Sequence, residues 1–170
     1  MITGESVLET ERLTLFKLVL EDAPFILRIV NEPSWLQYIG DKKVRDLEGA
    51  EKYIEDGPLK SYKANGFGLY LVKLKNGTPI GLCGILNRDA LRDPDIGFAF
   101  LPEYTGMGYA YESAFAVLTY GKTVLGLNRI VAITSPDNFR SGKLLEKLGL
   151  KFSKTVRLVG DNEDTRFYEG

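Results

Sequence analysis

Histidine is absent from this 170-residue sequence, and cysteine occurs only once, at Cys83. Without histidine the chain can assemble neither a Ser-His-Asp nor a Cys-His catalytic set, and it lacks the commonest protein ligand of zinc, so no metal site is expected. A single cysteine excludes an internal disulfide. Its place in the apolar segment 80–86 favours a buried hydrophobic role over a nucleophilic one. Acid–base chemistry therefore depends on Asp, Glu, Tyr, Lys, Ser or water.

The sequence also has no dominant charge and no long hydrophobic run. It contains 22 Lys and Arg against 23 Asp and Glu, for a formal net charge of -1, which gives no electrostatic case for a nucleic-acid partner. No apolar segment approaches membrane-spanning length, and the N-terminus lacks a signal-peptide core, so we expect a cytoplasmic protein without membrane attachment. The length predicts one domain over residues 1–170.

Strand-like and helix-like patterns alternate along the chain. Asn76-Gly77 between two apolar segments predicts a β-hairpin of strands 67–74 and 79–86. Further strands are predicted at 13–18, 95–101 and 129–134, and as a closing pair at 152–159 and 166–168 around Gly160-Asp161-Asn162. Helices are predicted at 24–30, 46–54, 109–120 and 140–148, with a loop or short helix at 35–41 and an interruption or end at Gly57-Pro58. This order is typical of a mixed α/β domain.

The pair Gly106 and Gly108 is the most informative motif, because an apolar strand precedes it and a helix follows at once. Glycine lets the backbone approach a ligand and permits positive φ. A helix that begins there directs its unpaired N–H groups and its positive dipole end at the loop, which predicts a phosphate or pyrophosphate site. The sequence has no GxxxxGK[ST] motif, and Tyr111 stands where a GxGxxG fingerprint that begins at Gly106 needs its third glycine, so both nucleotide-binding signatures are excluded.

Polar and aromatic residues at the ends of predicted elements are further candidates. Asp95 begins the strand that leads to the glycine loop, and it is either a solvated turn aspartate or a general base acting directly or through water. Asn138 and Ser141 begin a helix, where such residues cap N–H groups and where ligands also gather in α/β folds. Trp35 and Tyr38, which lie beside Asn, Pro and Gly residues, are candidates to line a variable pocket.

Several short segments follow one another as they do in a known family. They are the opening segment 8–15 with Glu21-Asp22, the strand motifs 80–84 and 95–98, the glycine-loop segment 102–113, and the segments 126–130 and 138–149. Together they resemble the GCN5-related N-acetyltransferase (GNAT) family, in the subgroup typified by RimJ/RimL-like ribosomal-protein N-terminal acetyltransferases. The resemblance covers nearly the whole chain. It implies an α/β (α+β) fold with a mixed, mostly antiparallel central sheet, helices on both faces, and a splay between the family's fourth and fifth strands.

The resemblance further implies transfer of an acetyl group from acetyl-CoA (coenzyme A), the cosubstrate, to an amine. Backbone N–H groups of the glycine loop would hold the pyrophosphate, among cofactor contacts that comprise Thr105, Gly106, Met107, Gly108, Tyr109, Ala110 and Tyr111. Pantetheine would lie along Phe98, Ala99 and Phe100, where an N–H group would polarise the thioester carbonyl.

The same resemblance assigns roles to single residues. Asp95 would remove the proton of the attacking amine, Ser141 would protonate the leaving thiolate, and Asn138 would contact the cofactor or order water. Leu145 stands where many family members have a catalytic tyrosine, so the acid role is carried over to Ser141.

Two departures from the family pattern keep a second hypothesis open. Thr105 stands where Gln, Arg or Trp is usual, and Asp95 stands where Glu is common, with a reach roughly one methylene shorter. The alternative to an N-acetyltransferase is therefore a catalytically weak acyl-CoA-binding sensor or interaction domain. The acceptor, a protein N-terminus or a small-molecule amine, stays open. Homodimers are frequent in the family, yet no residue here indicates one.

Overall fold

The computed structural model describes residues 3–158 and 163–170 of the chain. Within those residues the strands form one sheet of five and one of three. The first sheet has the order β1-β2-β3-β4-β5, and all its neighbours are antiparallel; its strands are Ser6–Glu9, Leu13–Lys17, Leu69–Leu74, Pro79–Leu86 and Asp95–Phe100. The second has the order β6-β8-β7 and is also antiparallel; β6, β7 and β8 are Ala132–Thr134, Lys151–Val156 and Thr165–Glu169.

Six α-helices connect these strands in the described part of the chain. Helices α1 to α4 lie between β2 and β3, α5 follows β5, and α6 follows β6; their bounds are Ala23–Ile29, Pro33–Tyr38, Leu47–Ile54, Lys60–Asn65, Tyr109–Thr123 and Phe139–Lys147. Asp46 caps α3 by accepting a hydrogen bond from the Gly49 N–H at 2.7 Å. A π-helical turn, Glu55–Leu59, carries Gly57-Pro58 and joins α3 to α4, so the helix changes its winding there instead of ending.

The two faces of the first sheet bury two separate apolar cores. In β5 the alternation of side chains places Ile96 and Phe100 against α5 in one core, whereas Ala99 packs against the other core, which α1 and α3 cover. Helices therefore lie on both faces of a mostly antiparallel sheet, and the expected fold class is confirmed.

The two sheets meet where β5 begins. Asp95 and Val131 form an isolated parallel bridge, in which the Ile96 N–H donates to the Val131 carbonyl and the Val131 N–H donates to the Pro94 carbonyl, both at 2.9 Å. After this bridge β5 stays paired with β4 and β6 pairs with β8, so the two strands separate. The expected splay between these strands is present, and it opens one edge of β5.

Some predicted elements differ from those in the structure. Strand β1 was missed because its four residues form an exposed to half-buried edge with an irregular register, which leaves little hydrophobic alternation to read. The strand predicted at 129–134 is shorter, Ala132–Thr134. The end of the predicted closing strand at Val159 and the turn Gly160-Asp161-Asn162 lie outside the described residues. Among the helices of the described residues, none has the length and hydropathy needed to cross a membrane.

Candidate functional site

The glycine loop leaves the start of α5 open. Gly106 and Gly108 both have left-handed φ, +78° and +84°, and Gly108 caps α5 without any side-chain hydrogen bond. The first bond of the helix runs from the Glu112 N–H to the Gly108 carbonyl at 3.0 Å. Since the preceding N–H groups have no partner within a helix, those of 108–111 are available to a ligand. Thr105 is exposed, and its hydroxyl donates to the Pro102 carbonyl at 2.8 Å, which fastens the entry to the loop.

Arg12, which precedes β2, contacts this loop from outside. Its Nη1 donates to the Met107 carbonyl at 3.0 Å, its Nε donates to Glu112 Oε1 at 2.7 Å, and its guanidinium lies 4.4 Å from the centre of the Tyr109 ring. Glu112 also accepts hydrogen bonds from the Arg12 N–H and the Thr10 hydroxyl. Partial burial opposes ionisation of Glu112, but these hydrogen bonds hold its pKa below the usual range.

The open edge of β5 exposes alternate backbone groups. Because Ile96 directs its N–H toward Val131, the alternation of an antiparallel strand directs the N–H groups of Phe98 and Phe100 to the same side and that of Ala99 toward β4. Phe98 and Phe100 are thus the residues of this predicted pantetheine segment whose backbone groups line the splay, whereas Ala99 contributes its side chain to the core beneath α1 and α3.

Thr134, at the end of β6, adds a polar group that the sequence analysis did not single out. The residue is 9% exposed, and its Oγ1 has no hydrogen-bond partner among the described residues. A buried hydroxyl without a partner is unusual and indicates a group that a ligand or a bound water satisfies. Its sequence signal is weak, since a threonine in a strand is most often there for its β-branched shape.

Asp95 is buried at the start of β5, with 1% of its surface exposed, so it is not a solvated turn residue. The Arg88 Nε donates to both carboxylate oxygens, at 3.2 and 3.1 Å. Burial raises the pKa of Asp95 to about 6, and Arg88 limits that rise. Arg88 was missed because it lies in the exposed loop between β4 and β5, where an arginine gives no sequence signal of its partner.

The start of α6 is capped, in contrast to that of α5. Asn138 Oδ1 accepts a hydrogen bond from the Ser141 N–H at 3.3 Å, as the capping interpretation predicted. Ser141 is half-buried, and its Oγ makes no hydrogen bond to any described residue. Leu145, which replaces the family's tyrosine, is buried in the core behind α5. The Ser141 hydroxyl is therefore free to act on a ligand.

The two aromatic candidates on α2 have different surroundings. Trp35 is buried in the core under α1 and α3, and its Nε1 has no partner among the described residues. Tyr38 is half-buried, and its carbonyl accepts a hydrogen bond from the Ser135 hydroxyl at 2.6 Å. This bond brings the end of α2 beside the loop that leads into α6.

Cys83 lies in β4 with no exposed surface, as its apolar segment predicted. Burial raises the pKa of its thiol to about 12, although Ser113 opposes the rise. The thiol therefore stays protonated at neutral pH, and a nucleophilic role is excluded.

Known proteins are similar to this chain in sequence and in architecture. The family model of the acetyltransferase (GNAT) domain matches residues 12–151. The uncharacterized N-acetyltransferase p20 of Bacillus licheniformis is 34% identical over 155 residues, which cover 88% of this chain and 85% of that protein. A solved acetyltransferase from Agrobacterium tumefaciens str. C58 has a TM-score of 0.81 at 25% identity, with 99% of this chain and 95% of that chain covered.

RimL, a ribosomal L7/L12 alpha-N-protein acetyltransferase solved in complex with coenzyme A, has a TM-score of 0.82 at 19% identity, with 98% and 97% of the two chains covered. At this identity the likeness shows the fold alone, and the RimJ/RimL-like subgroup stays a prediction. The match to the family model and the identity to p20 carry the assignment. The chain belongs to the GNAT family and is an acetyltransferase, of the kind that transfers acetyl groups from acetyl-CoA to amines.

Proposed function

We propose that this chain binds acetyl-CoA along the splay and transfers its acetyl group directly to an amine in a ternary complex. One observation carries the proposal. Strand β5 joins a buried carboxylate with a raised pKa, Asp95, to an uncapped helix start whose N–H groups are available to an anion. Such an arrangement supplies a base and an anchor for the phosphates on one rigid element.

The residues at the splay fit coenzyme A. The N–H groups from Met107 to Tyr111 suit a pyrophosphate, because a helix N-terminus attracts anions and the loop glycines present no Cβ. The backbone groups of Phe98 and Phe100 suit the amides of pantetheine. The Thr134 hydroxyl, for which the described part of the chain offers no hydrogen-bond partner, lies at the end of the facing strand. An open depression of about 300 Å³ lined by Tyr111 and Lys147 adjoins the same helix start and suits the adenosine end.

Asp95 is the proposed general base. An amine attacks only when neutral, so its ammonium proton has to be removed, and a base is most effective when its pKa lies near the working pH. A pKa of about 6 meets that condition. A carboxylate has about four acceptor positions, and the single Arg88 Nε donor leaves some of them for the amine or a bridging water.

Ser141 is the proposed general acid, and Asn138 supports it. Departure of the thiolate needs a proton, and the Ser141 hydroxyl has no competing partner among the described residues. Asn138 keeps the first turn of α6 in place through its cap while its amide nitrogen stays available to the cofactor or to water.

The acceptor is proposed to enter beside α2, from the side on which Tyr38 borders the loop before α6. Trp35 lies on the same helix, and its indole N–H has no hydrogen-bond partner among the described residues. Resemblance to the RimJ/RimL-like subgroup favours the α-amine of a protein N-terminus as the first acceptor class to test, followed by small-molecule amines.

Calorimetric titration with acetyl-CoA tests the proposal first. We expect saturable binding to the wild type, and loss of binding on Gly108→Trp, because a bulky side chain at φ +84° with its Cβ 3.2 Å from the Arg12 Nη2 would displace the loop and misdirect its N–H groups. Gly77→Trp is the matched control, since Gly77 also has positive φ but lies in the β3–β4 turn with open space around it. Release of coenzyme A with a panel of peptides and amines then identifies the acceptor. Absence of binding to the wild type would overturn the cofactor assignment.

A second candidate, an acyl-CoA-binding module with little turnover, is favoured by one contact. Arg88 reaches both oxygens of Asp95, and a base held in this way is less free to accept a proton. This candidate predicts acetyl-CoA binding to the wild type without release of coenzyme A in the presence of any amine. The proposed enzyme predicts both, and Asp95→Ala should then abolish turnover while leaving binding intact.

A further inference from the structure

We propose that Arg12 is a positioning residue that orients the pyrophosphate loop before acetyl-CoA binds. The inference rests on the proposed function, because it assigns a role within the same cofactor site. Arg12 reaches both sides of the loop: Nη1 donates to the Met107 carbonyl, and Nε donates to Glu112 in the first turn of α5. The two contacts span the residues whose N–H groups would bind the pyrophosphate.

The contact with Met107 fixes the direction of one of those N–H groups. The peptide bond between Met107 and Gly108 is trans, and the C=O and N–H groups of a trans peptide point in opposite directions. Since Arg12 holds the Met107 carbonyl on its own side, the Gly108 N–H is directed to the other side of the loop. Gly108 at φ +84° has few steric restraints of its own, so an external contact is needed to hold this orientation.

The contact with Glu112 removes a charge conflict. A carboxylate in the first turn stabilises the helix but repels a pyrophosphate at the same end. Glu112 accepts hydrogen bonds from the Arg12 backbone, the Arg12 side chain and the Thr10 hydroxyl, which draw its charge toward the segment before β2. The Tyr109 ring lies 4.4 Å from the guanidinium and holds it in place by a cation–π contact.

Arg12→Met tests the inference, with Arg129→Met as the matched control. Arg12 and Arg129 have side chains 42% and 43% exposed and each pairs with a carboxylate, but Arg129 binds Asp93 and Glu169 away from the loop. We expect Arg12→Met to weaken acetyl-CoA binding about tenfold by calorimetry and to raise KM correspondingly, with kcat for the identified amine changed less than about twofold. Arg129→Met should leave both constants unchanged.

Two further variants separate the orienting role from the charge. Arg12→Lys keeps the positive charge without the planar fork, so it should restore only part of the affinity. Adding Glu112→Gln to Arg12→Met removes the uncompensated carboxylate and should also recover part of the loss. If Arg12→Met and Arg129→Met lower the melting temperature equally but only Arg12→Met loses affinity, general destabilisation does not explain the loss of affinity.

Three results would overturn the inference. Unchanged acetyl-CoA affinity in Arg12→Met, beside a wild type that binds, refutes the role of Arg12 and leaves the proposed function standing. An equal fall of kcat and affinity, together with a greater loss of stability than in Arg129→Met, indicates a structural role only. A wild type that does not bind acetyl-CoA refutes the proposed function and this inference with it.

Discussion

The two ends of β5 provide opposite environments within a single strand. At its start, Asp95 is buried, bonded through the backbone to the segment before β6, and paired with Arg88. At its end the strand has separated from β6, and the chain enters an exposed loop in which the N–H groups at the start of α5 have no side-chain cap. Burial at one end disfavours the ionised form of a carboxylate, whereas exposure at the other end leaves the backbone accessible to an anion.

This difference separates chemistry from anchoring. A buried carboxylate changes its pKa because water cannot solvate its charge, so its replacement should alter turnover and pH dependence. At the exposed helix start the anion would be bound by backbone N–H groups, which do not titrate, so changes there should alter affinity alone. This separation would be refuted if variants at both ends of β5 altered the same constant, either kcat or the affinity for acetyl-CoA.

The largest expected effect is the loss of turnover in Asp95→Asn. Asparagine has nearly the same shape but cannot accept the ammonium proton, and removal of a general base typically lowers kcat by roughly 10²–10⁴-fold. Affinity for acetyl-CoA should stay within about twofold of the wild type, because Asp95 lies at the far end of β5 from the glycine loop. Steady-state kinetics at saturating acetyl-CoA, combined with calorimetry, measures the two constants separately. An equal loss of both constants would contradict the separation.

The second effect is an opposite response of activity and stability to pH. The folded-state pKa of Asp95, about 6, lies above the value of 3.8 expected in the unfolded chain, so the folded state binds more protons between these values. Its contribution to stability is therefore fully present below about 3.8 and is lost as pH rises through about 6, while turnover rises over the upper part of the same range because the base becomes ionised.

Urea unfolding of the wild type and of Asp95→Asn measures the stability that the wild type loses when Asp95 becomes ionised. At pH 7.5 the variant should be more stable than the wild type by up to about 3 kcal/mol, and the difference should vanish near pH 4. Glu103→Gln is a control of opposite sign, because pairing with Arg28 holds the pKa of Glu103 below its usual range. Its replacement should lower stability slightly at neutral pH. A wild type whose stability increases from pH 4 to 7.5 relative to Asp95→Asn would contradict the assigned pKa.

The third effect concerns the loop end. In Gly108→Ala the new Cβ would lie 3.2 Å from the Arg12 Nη2. The alanine would also have to keep the backbone φ of +84°, which costs about 1–2 kcal/mol of stability. Acetyl-CoA affinity should fall roughly tenfold, because the crowded Cβ and the strained backbone would displace the loop and misdirect its N–H groups. Gly77→Ala, with φ +92° and open space, should lose similar stability without loss of affinity. Equal affinity in both variants would exclude the loop as the anchor.

The parts of this site that sequence predicts are those whose signal is local. The glycine loop, the start of α5 and the Asn76-Gly77 hairpin are each specified by a few consecutive residues, and the structure contains all three. The Asn138 cap is equally local. Propensity and turn chemistry act over such distances, so these elements are readable without knowledge of the fold.

The partners that tune the site were not predictable in the same way. Arg12 and Glu112 are 100 residues apart in sequence, and they meet only because α5 packs against the sheet beside the start of β2. Arg88 gives no sign in the sequence that its partner is Asp95, since the burial of that carboxylate depends on how β5, β6 and the helices of the other face come together. Strand β1 also depends on pairing with β2 and not on its own pattern.

The smallest effect tests a residue between the two ends of β5, on the facing strand. Thr134→Val keeps the shape but removes a buried hydroxyl that has no partner among the described residues, so the ligand-free protein should gain about 1 kcal/mol of stability. If the hydroxyl binds a cofactor amide, acetyl-CoA affinity should fall roughly threefold to tenfold, the value of one hydrogen bond.

Thr14→Val is the matched control for this prediction. Thr14 and Thr134 are 8% and 9% exposed and both lie in strands, but the Thr14 hydroxyl accepts a hydrogen bond from Lys75 at 3.3 Å. Its removal should give no gain in stability and no change in affinity. A stabilised Thr134→Val that still binds acetyl-CoA normally would show that the hydroxyl makes no contact with the cofactor. The contacts that anchor acetyl-CoA would then come from the backbone of β5 and from the glycine loop, without β6. The separation of chemistry from anchoring would in that case depend on β5 and the loop that follows it.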